Sequence, residues 1–398
     1  MILRVKSAHA THLCKIVRHT PLNTKADLHD LHEKASPAAS IKAAQPPTKT
    51  TSFFEFWPTW LIYLPVVFLW LICAVRYRSL TAPLLANPKI TLGGMVGGSK
   101  HELMSQAKGR CRQAILPWLY VRVTDECILQ QAEQCIIQAK TKGISLPFVC
   151  KPDTGCRGAG VKLVTNQAML ADIIAKYPVN AAFVCQKLSQ YEPEVGIFYV
   201  RSPEQKQGNI VSLTFKNTPS VIGNGKHTLE QLVKQDARAS GLLNLYRSKN
   251  KASWQAVLPE GHRHRLLFSA SHCRGAVFCD AREHITPELT LAINAIMADL
   301  PDFYYGRMDV KYSTLKALKA GRDLEIVEIN GASSESIHIW DKDARLWDAI
   351  KTLLWQYKTL FSLGAYQMRL GHKAPGVRSL YKAWRYERAL TQHYPETD

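Results

Sequence analysis

The chain has 398 residues, enough for two or three domain-sized units with a packed core. Lys and Arg number 51 against 32 Asp and Glu, a net charge of +19, which draws anionic partners: nucleic acid, an acidic membrane surface or a polyphosphate. The 10 cysteines stand singly, without CxxC or paired Cys/His spacing, which argues against a disulfide framework or zinc cluster and for reduced structural thiols.

Residues 1–52 mix basic, small and proline residues with little apolar periodicity and read as a disordered basic arm. Their composition does not fit a signal peptide, because no short apolar core with a small-residue cleavage site follows the basic start. From Trp57 to Val75 the stretch WPTWLIYLPVVFLWLICAV carries no charge, and Arg76 and Arg78 follow it. At about 1.5 Å per residue it spans roughly 28 Å as a helix, close to the hydrocarbon thickness of a bilayer. Residues 53–80 are therefore expected to form a membrane segment, the competing reading being a buried core helix. Pro65 predicts a kink or reversal, so transmembrane and re-entrant helices both stand.

The body, residues 98–345, alternates strand-like and helix-like segments. Strands are expected at PFVCKP, AFVCQKL, EVGIFYVR, GNIVSLTFK, FYYGRMDVKY and LEIVEIN; helices at QAMLADIIAKY, HTLEQLVKQ and PELTLAINAIMAD. Residues 346–398 read as a C-terminal helical region. In VRSLYKAWRYERAL, Val377, Leu380, Tyr381 and Trp384 share a face that Arg378, Lys382 and Arg385 surround. Such a basic amphipathic helix lies on anionic lipid or docks on the body as a solvated helix.

Three clusters carry chemistry. The strand PFVCKP runs into DTGCRGAGVKLV, where Gly155, Gly158 and Gly160 let the backbone turn tightly and offer N–H groups to phosphate, and Lys151 adds a fixed positive charge. Alone, such a turn is equally a plain hairpin. Downstream, Arg307 and Asp309 lie two apart, as do Glu328 and Asn330, so each pair projects from one strand face. Carboxylates and an amide oxygen are hard ligands suited to Mg2+, and Arg307 beside them can stabilise a phosphoryl group in transfer; alone, the cluster reads also as a surface salt bridge. Between the two, Gln186 and Lys187 close one strand and Glu194 opens another, a placement that suits an adenine edge and a ribose diol.

In this order the motifs resemble the ATP-grasp superfamily over about Ser99 to Asn330. VIGNGKHTLEQLV is similar to the segment after the hinge in cyanophycin synthetase-like members, and GRMDV followed by VEINGASSE is similar to the metal-binding end of D-alanine:D-alanine ligases. The resemblance implies an α+β ATP-grasp fold, two α+β subdomains enclosing ATP with the glycine loop as a lid, preceded here by the hydrophobic membrane segment. It implies ATP and Mg2+ as cofactors. Lys151 and Lys100, in GGSKHELM, would contact phosphates; Gly155, Gly158 and Gly160 would form the lid; Gln186, Lys187 and Glu194 would hold the nucleoside. Asp309, Glu328 and Asn330 would bind Mg2+. Arg307 and Lys151 would act on the transferring phosphoryl group, and His272 and Arg274 would contact acceptor or phosphate.

In the family ATP phosphorylates a carboxylate, and an amine, or less often a thiol, then displaces phosphate. Only about twenty residues separate the apolar segment from Lys100, so the amino-terminal substrate domain of typical peptide ligases does not fit there. The expectation is a membrane-associated ATP-dependent carboxylate-amine ligase with its catalytic domain on the cytoplasmic side and a lipid or cell-envelope precursor as one candidate substrate. Alternatives are an anchored peptide ligase with soluble amino-acid substrates and a non-catalytic ATP-binding scaffold. No nucleic-acid recognition module is visible in the sequence.

Overall fold

The computed structural model describes residues 52–55, 57–155, 158–269, 271 and 274–398. Residues 1–51 of the basic arm and His272 lie outside them.

The chain enters on helix α1 (Thr59–Arg76), then two 3-10 turns, α2 (Lys100–Ser105) and α3 (Gly109–Ala114). There follow β1 (Trp118–Arg122), α4 (Ile128–Thr141), β2 (Phe148–Pro152), β3 (Lys162–Val164), α5 (Gln167–Ile174) and β4 (Ala182–Lys187). A second run holds β5 (Glu194–Val200), β6 (Asn209–Asn217), β7 (Ser220–Ile222), α6 (Leu229–Gln235), α7 (Leu243–Lys249), β8 (Arg263–Arg265) and β9 (Val277–Asp280). Helix α8 (Pro287–Met297), β10 (Tyr305–Tyr312), α9 (Leu315–Lys319), β11 (Leu324–Asn330), α10 (Leu346–Arg369) and α11 (Val377–Thr391) complete it. The class is α+β, as expected.

The strands form two main antiparallel sheets, ordered β1-β4-β2-β3 and β11-β10-β5-β6-β9, with β7-β8 as a separate pair. Alternation explains their cores. On β2, Phe148 and Cys150 turn to α4 and α5 and join Phe183 and Cys185 of β4 in one apolar cluster; Lys151 therefore takes the opposite face. On β10, Met308 and Val310 join α8 residues Leu289, Ile293 and Met297 in the main core, which leaves Arg307, Asp309 and Lys311 on the other side.

That other side is itself divided. At the Tyr305 end it is apolar, and Phe198 and Tyr305 pack under Leu360 and Leu363 of α10. At the Arg307–Lys311 end it is polar and faces the small sheet. Helix ends follow local sequence: Thr228 and Gln231 make a reciprocal capping box on α6, and Thr286 caps α8 with Pro287 in its first turn.

Helix α1 is continuous through Pro65, so the chain does not turn back there, and one of its sides is packed. Ile62 and Val66 pack with Phe54 against Ile339, Ala349 and Leu353, and Cys73 packs with Phe361. Tertiary contact along α10 offsets the one intrahelical hydrogen bond that a proline forfeits. The opposite side is bare: Trp60, Phe68, Ile72 and Val75 are 68%, 60%, 65% and 81% exposed. Among the described residues this is the one helix long and apolar enough to cross a membrane.

Candidate functional site

The small sheet supplies the first part of the site. Lys151 Nζ donates to Gln186 Oε1 at 2.8 Å and, across the gap between sheets, to the Val327 carbonyl of β11 at 3.1 Å. Burial pulls its pKa down, and the nearby Glu328 carboxylate opposes that pull. Lys100 begins α2, which Ser99 caps by accepting from Glu102 N. The helix start is pinned to the end of β2 by Lys100 N to Asp153 O at 3.0 Å and His101 N to Asp153 Oδ1 at 2.8 Å. From there Lys100 Nζ donates to the Gly155 carbonyl at 3.0 Å and lies 3.7 Å from Glu328 Oε1. Lys100, Lys151, Gln186 and Glu328 thus line one small cavity between the sheets, closed by Val184 and Val327.

The large sheet supplies the second part. Arg307 pairs in register with Asn330, and Asp309 with Glu328. Asp309, only 3% exposed, accepts from Arg307 Nε at 2.9 Å and Lys216 Nζ at 3.1 Å. Burial alone would raise its pKa; the Arg307 and Lys216 cations outweigh it and hold the carboxyl at about 2. Lys216, conversely, is disfavoured by burial but kept charged by Asp309 and Glu194, so its pKa lies above the ordinary value. Glu194 is bound to Lys216 and lies 3.4 Å from Lys311 Nζ; those two cations overcome its burial and depress it. Gly196 sits opposite Asp309, and a Cβ there would lie 3.0 Å from Ile337 Cδ1 and 3.2 Å from Arg307 Cδ. Its lack of a side chain leaves the room the guanidinium stem occupies.

The candidate metal ligands meet the chemistry of Mg2+: two carboxylates on paired strands and an amide oxygen one register step away. Asn330 Nδ2 is buried and has no partner among the described residues, so this amide is not already committed to the fold through its nitrogen. Asp309 is already balanced by two protein cations, so a metal would enter as a third positive charge and Arg307 or Lys216 would give up part of its contact.

The remaining expected residues divide. Gln186 is buried beside Lys151, whereas Lys187 alternates to the other side of β4 and is exposed. Gly155, Gly158 and Gly160 have φ of 147°, 73° and 73°, which favours glycine at each. At Gly155 and Gly160 the space a side chain would take is filled by Tyr394 and Pro152. Gly160 N donates to Thr397 Oγ1 at 2.9 Å, so this N–H is not offered to a phosphate in this arrangement. Arg274 Nη2 donates to the Thr397 carbonyl at 3.1 Å, a contact with residues 394–398 where an acceptor contact was expected.

Sequence reading missed Lys216, Lys311 and Arg265, whose guanidinium feels Glu192 and Glu194. The signal for the first two is present. Ser212, Thr214 and Lys216 alternate with Leu213 and Phe215, and Arg307, Asp309 and Lys311 alternate with Met308 and Val310: polar stripes on otherwise apolar strands.

No protein-family model and no curated protein matches the chain. Solved structures similar to it in part include the following three. They are a bifunctional glutathione synthetase from Pasteurella multocida (14% identity, TM-score 0.34, 64% of this chain and 35% of that one), a D-cycloserine synthetase (11%, 0.35, 67% and 70%) and a D-alanine–D-alanine ligase from Bacillus anthracis (13%, 0.34, 68% and 71%). The chain thus spans 35% of the first enzyme's length. At these scores the likeness carries no part of the functional reading, which rests on the contacts above.

Proposed function

We propose that residues 98–345 form an ATP-grasp carboxylate-amine ligase held at a membrane. One observation carries the reading: Lys151 reaches from the small sheet to the Val327 carbonyl, the residue before Glu328, so a phosphate-facing lysine and a carboxylate strand share one cleft. A triphosphate in that cleft meets Lys100 and Lys151 on one side. Asp309, Glu328 and Asn330, on the other side, would hold Mg2+, which when bound neutralises phosphate charge. Gln186, beside Lys151, and Glu194, beside Lys216 and Lys311, would be the residues nearest the nucleoside.

The substrate carboxylate oxygen attacks the terminal phosphorus and ADP leaves; an amine then attacks the acyl carbon and phosphate leaves. Arg307, balanced by Asp309, offers charge to the phosphoryl group, and no nucleophilic side chain is needed because position and electrostatics suffice. The complete pairing of Asp309 by Arg307 and Lys216 favours a second reading, a nucleotide-binding scaffold without turnover.

The test is purified protein with labelled Mg·ATP and a pool of amino acids and lipid extract, followed by ADP release and by mass spectrometry for a new amide. Glu328→Gln is expected to lower turnover on the order of 100-fold or more, and to leave the fold intact because the Glu328 carboxylate makes only a long ion pair among the described residues, with Lys100 at 3.7 Å. ATP binding without ADP release under every condition would favour the scaffold; unchanged turnover in Glu328→Gln would remove it from the metal set.

Membrane attachment is read as lateral. Helix α1 rests on α10 along one side, so its bare stripe of Trp60, Phe68, Ile72 and Val75 would lie in the interface plane, with Arg76 and Arg78 toward anionic headgroups. A lipid-linked substrate presented from that surface is the preferred acceptor or donor.

A further inference from the structure

Residues 394–398 are bonded along the glycine loop. Thr397 Oγ1 donates to Gly158 O at 2.9 Å and accepts from Gly160 N at 2.9 Å. Asp398 N donates to Val161 O at 3.0 Å, and Leu163 N returns to Asp398 Oδ2 at 3.0 Å. Tyr394 Oη donates to Thr154 O at 2.5 Å, so the segment grips the loop at both of its ends.

The grip comes from the side away from the cleft. Tyr394 packs on Tyr177, ring centroids 5.3 Å apart, within the apolar cluster on the face of the small sheet opposite Lys151. The segment is in turn anchored to the body by Arg274 Nη2 to Thr397 O and by Ser269 N to Asp398 O at 3.2 Å. Helix α11, which leads into it, is fixed to the turn before the other phosphate-facing lysine: Glu387 Oε2 accepts from Gly97 N at 2.7 Å, three residues ahead of Lys100.

We propose that residues 394–398 are a positioning strap for the nucleotide's phosphates, with Thr397 as its central residue; the inference rests on the ATP reading above. Glycine-rich backbone is intrinsically free, and ordering it on binding subtracts from affinity. The strap fixes Gly158 and Gly160 beforehand through a hydroxyl that touches no substrate. Arg274 belongs to this device, because it holds the strap.

The test is calorimetric titration of the full chain with Mg·ATP and, separately, with AMP, which lacks the phosphates that the loop would cover. Thr397→Val keeps the shape and removes both loop hydrogen bonds; it is expected to weaken ATP about tenfold and to change AMP less than about twofold. Thr397→Ser is expected to restore ATP binding. Hydrogen exchange at residues 158–163 of the unliganded protein should rise in Thr397→Val and return in Thr397→Ser.

Wild-type affinity for ATP in Thr397→Val, or equal loss of ATP and AMP, overturns the strap while leaving the nucleotide site standing. Wild-type protein that binds no Mg·ATP overturns both.

Discussion

At Asp309 one carboxylate serves two cations, 2.9 Å from Arg307 and 3.1 Å from Lys216, in a nearly closed site. Removing it would leave two buried positive groups facing one another, so Asp309→Ala is expected to cost about 3–5 kcal/mol of stability as well as turnover, measured by denaturant unfolding. Its depressed pKa means that this contribution is present above about pH 3.8 and is lost only as pH falls toward about 2. His338 sets the acid limit earlier. Burial first, and Arg282 next, hold its imidazole at about 4 rather than 6.5, and Nδ1 is bonded to Ser212 Oγ at 2.8 Å. The native state therefore binds fewer protons than the unfolded state within that interval. Stability is full above pH 6.5 and declines as pH falls to about 4. Melting temperature followed from pH 7 to 4 should fall less steeply in His338→Asn. At this scale the two-residue spacing of Arg307 with Asp309 and of Glu328 with Asn330 reported strand faces, whereas Lys100, at a helix start, was suggested by resemblance alone. The sequence concealed Arg265, whose relevance depends on which distant carboxylates the fold sets beside it; Lys216 stood in a readable polar stripe on β6 but had no visible partner until β10 and β5 were set beside it.

Among elements, α1 was legible as a helix and illegible as a packed one. Hydropathy reports how apolar a segment is, but not that Ile62, Val66 and Cys73 are claimed by α10 while Phe68 and Ile72 are left bare. The distinction yields a test of the lateral reading. Phe68→Glu with Ile72→Glu is expected to release the protein from anionic vesicles in a flotation assay without lowering the melting temperature, because neither side chain is in the core. In a chain whose accessible thiols among the described residues, Cys127 and Cys279, are replaced by Ser, cysteines placed one at a time at Phe53 and Arg78 should be labelled from the same side of a sealed vesicle; labelling from opposite sides would restore the spanning helix. Helix α11 shows the same limit. Its amphipathic face was readable, yet its attachment to Gly97 through Glu387 has no counterpart in local pattern.

For the whole molecule, six strands expected from sequence all form, and their pairing into two sheets sets the lysines of one against the carboxylates of the other. What pattern could not supply was the assembly of remote pieces: residues 394–398 on the glycine loop, and the apolar segment on the C-terminal helices. A consequence is that the amino-terminal segment is not a detachable anchor. Deleting residues 1–76 removes Phe54, Ile62 and Val66 from the cluster with Ile339 and Leu353, at about 1.5–3 kcal/mol for each buried side chain. Set against the roughly 5–15 kcal/mol that holds a typical domain, this loss is expected to leave an aggregation-prone product, visible by size-exclusion chromatography, even though every candidate site residue is retained.

The Tyr63 hydroxyl, on the protein-facing side of α1, is bonded to the Glu335 carboxylate, and the backbone carbonyl of Glu335 accepts from Arg307 Nη1 at 3.4 Å. Solvent conditions at the greasy flank are thereby wired to the guanidinium that would greet the migrating phosphate. A surfactant that loosens that flank should slow the proposed ligase reaction in extracts where every candidate site residue is untouched, and added bilayer should bring the rate back.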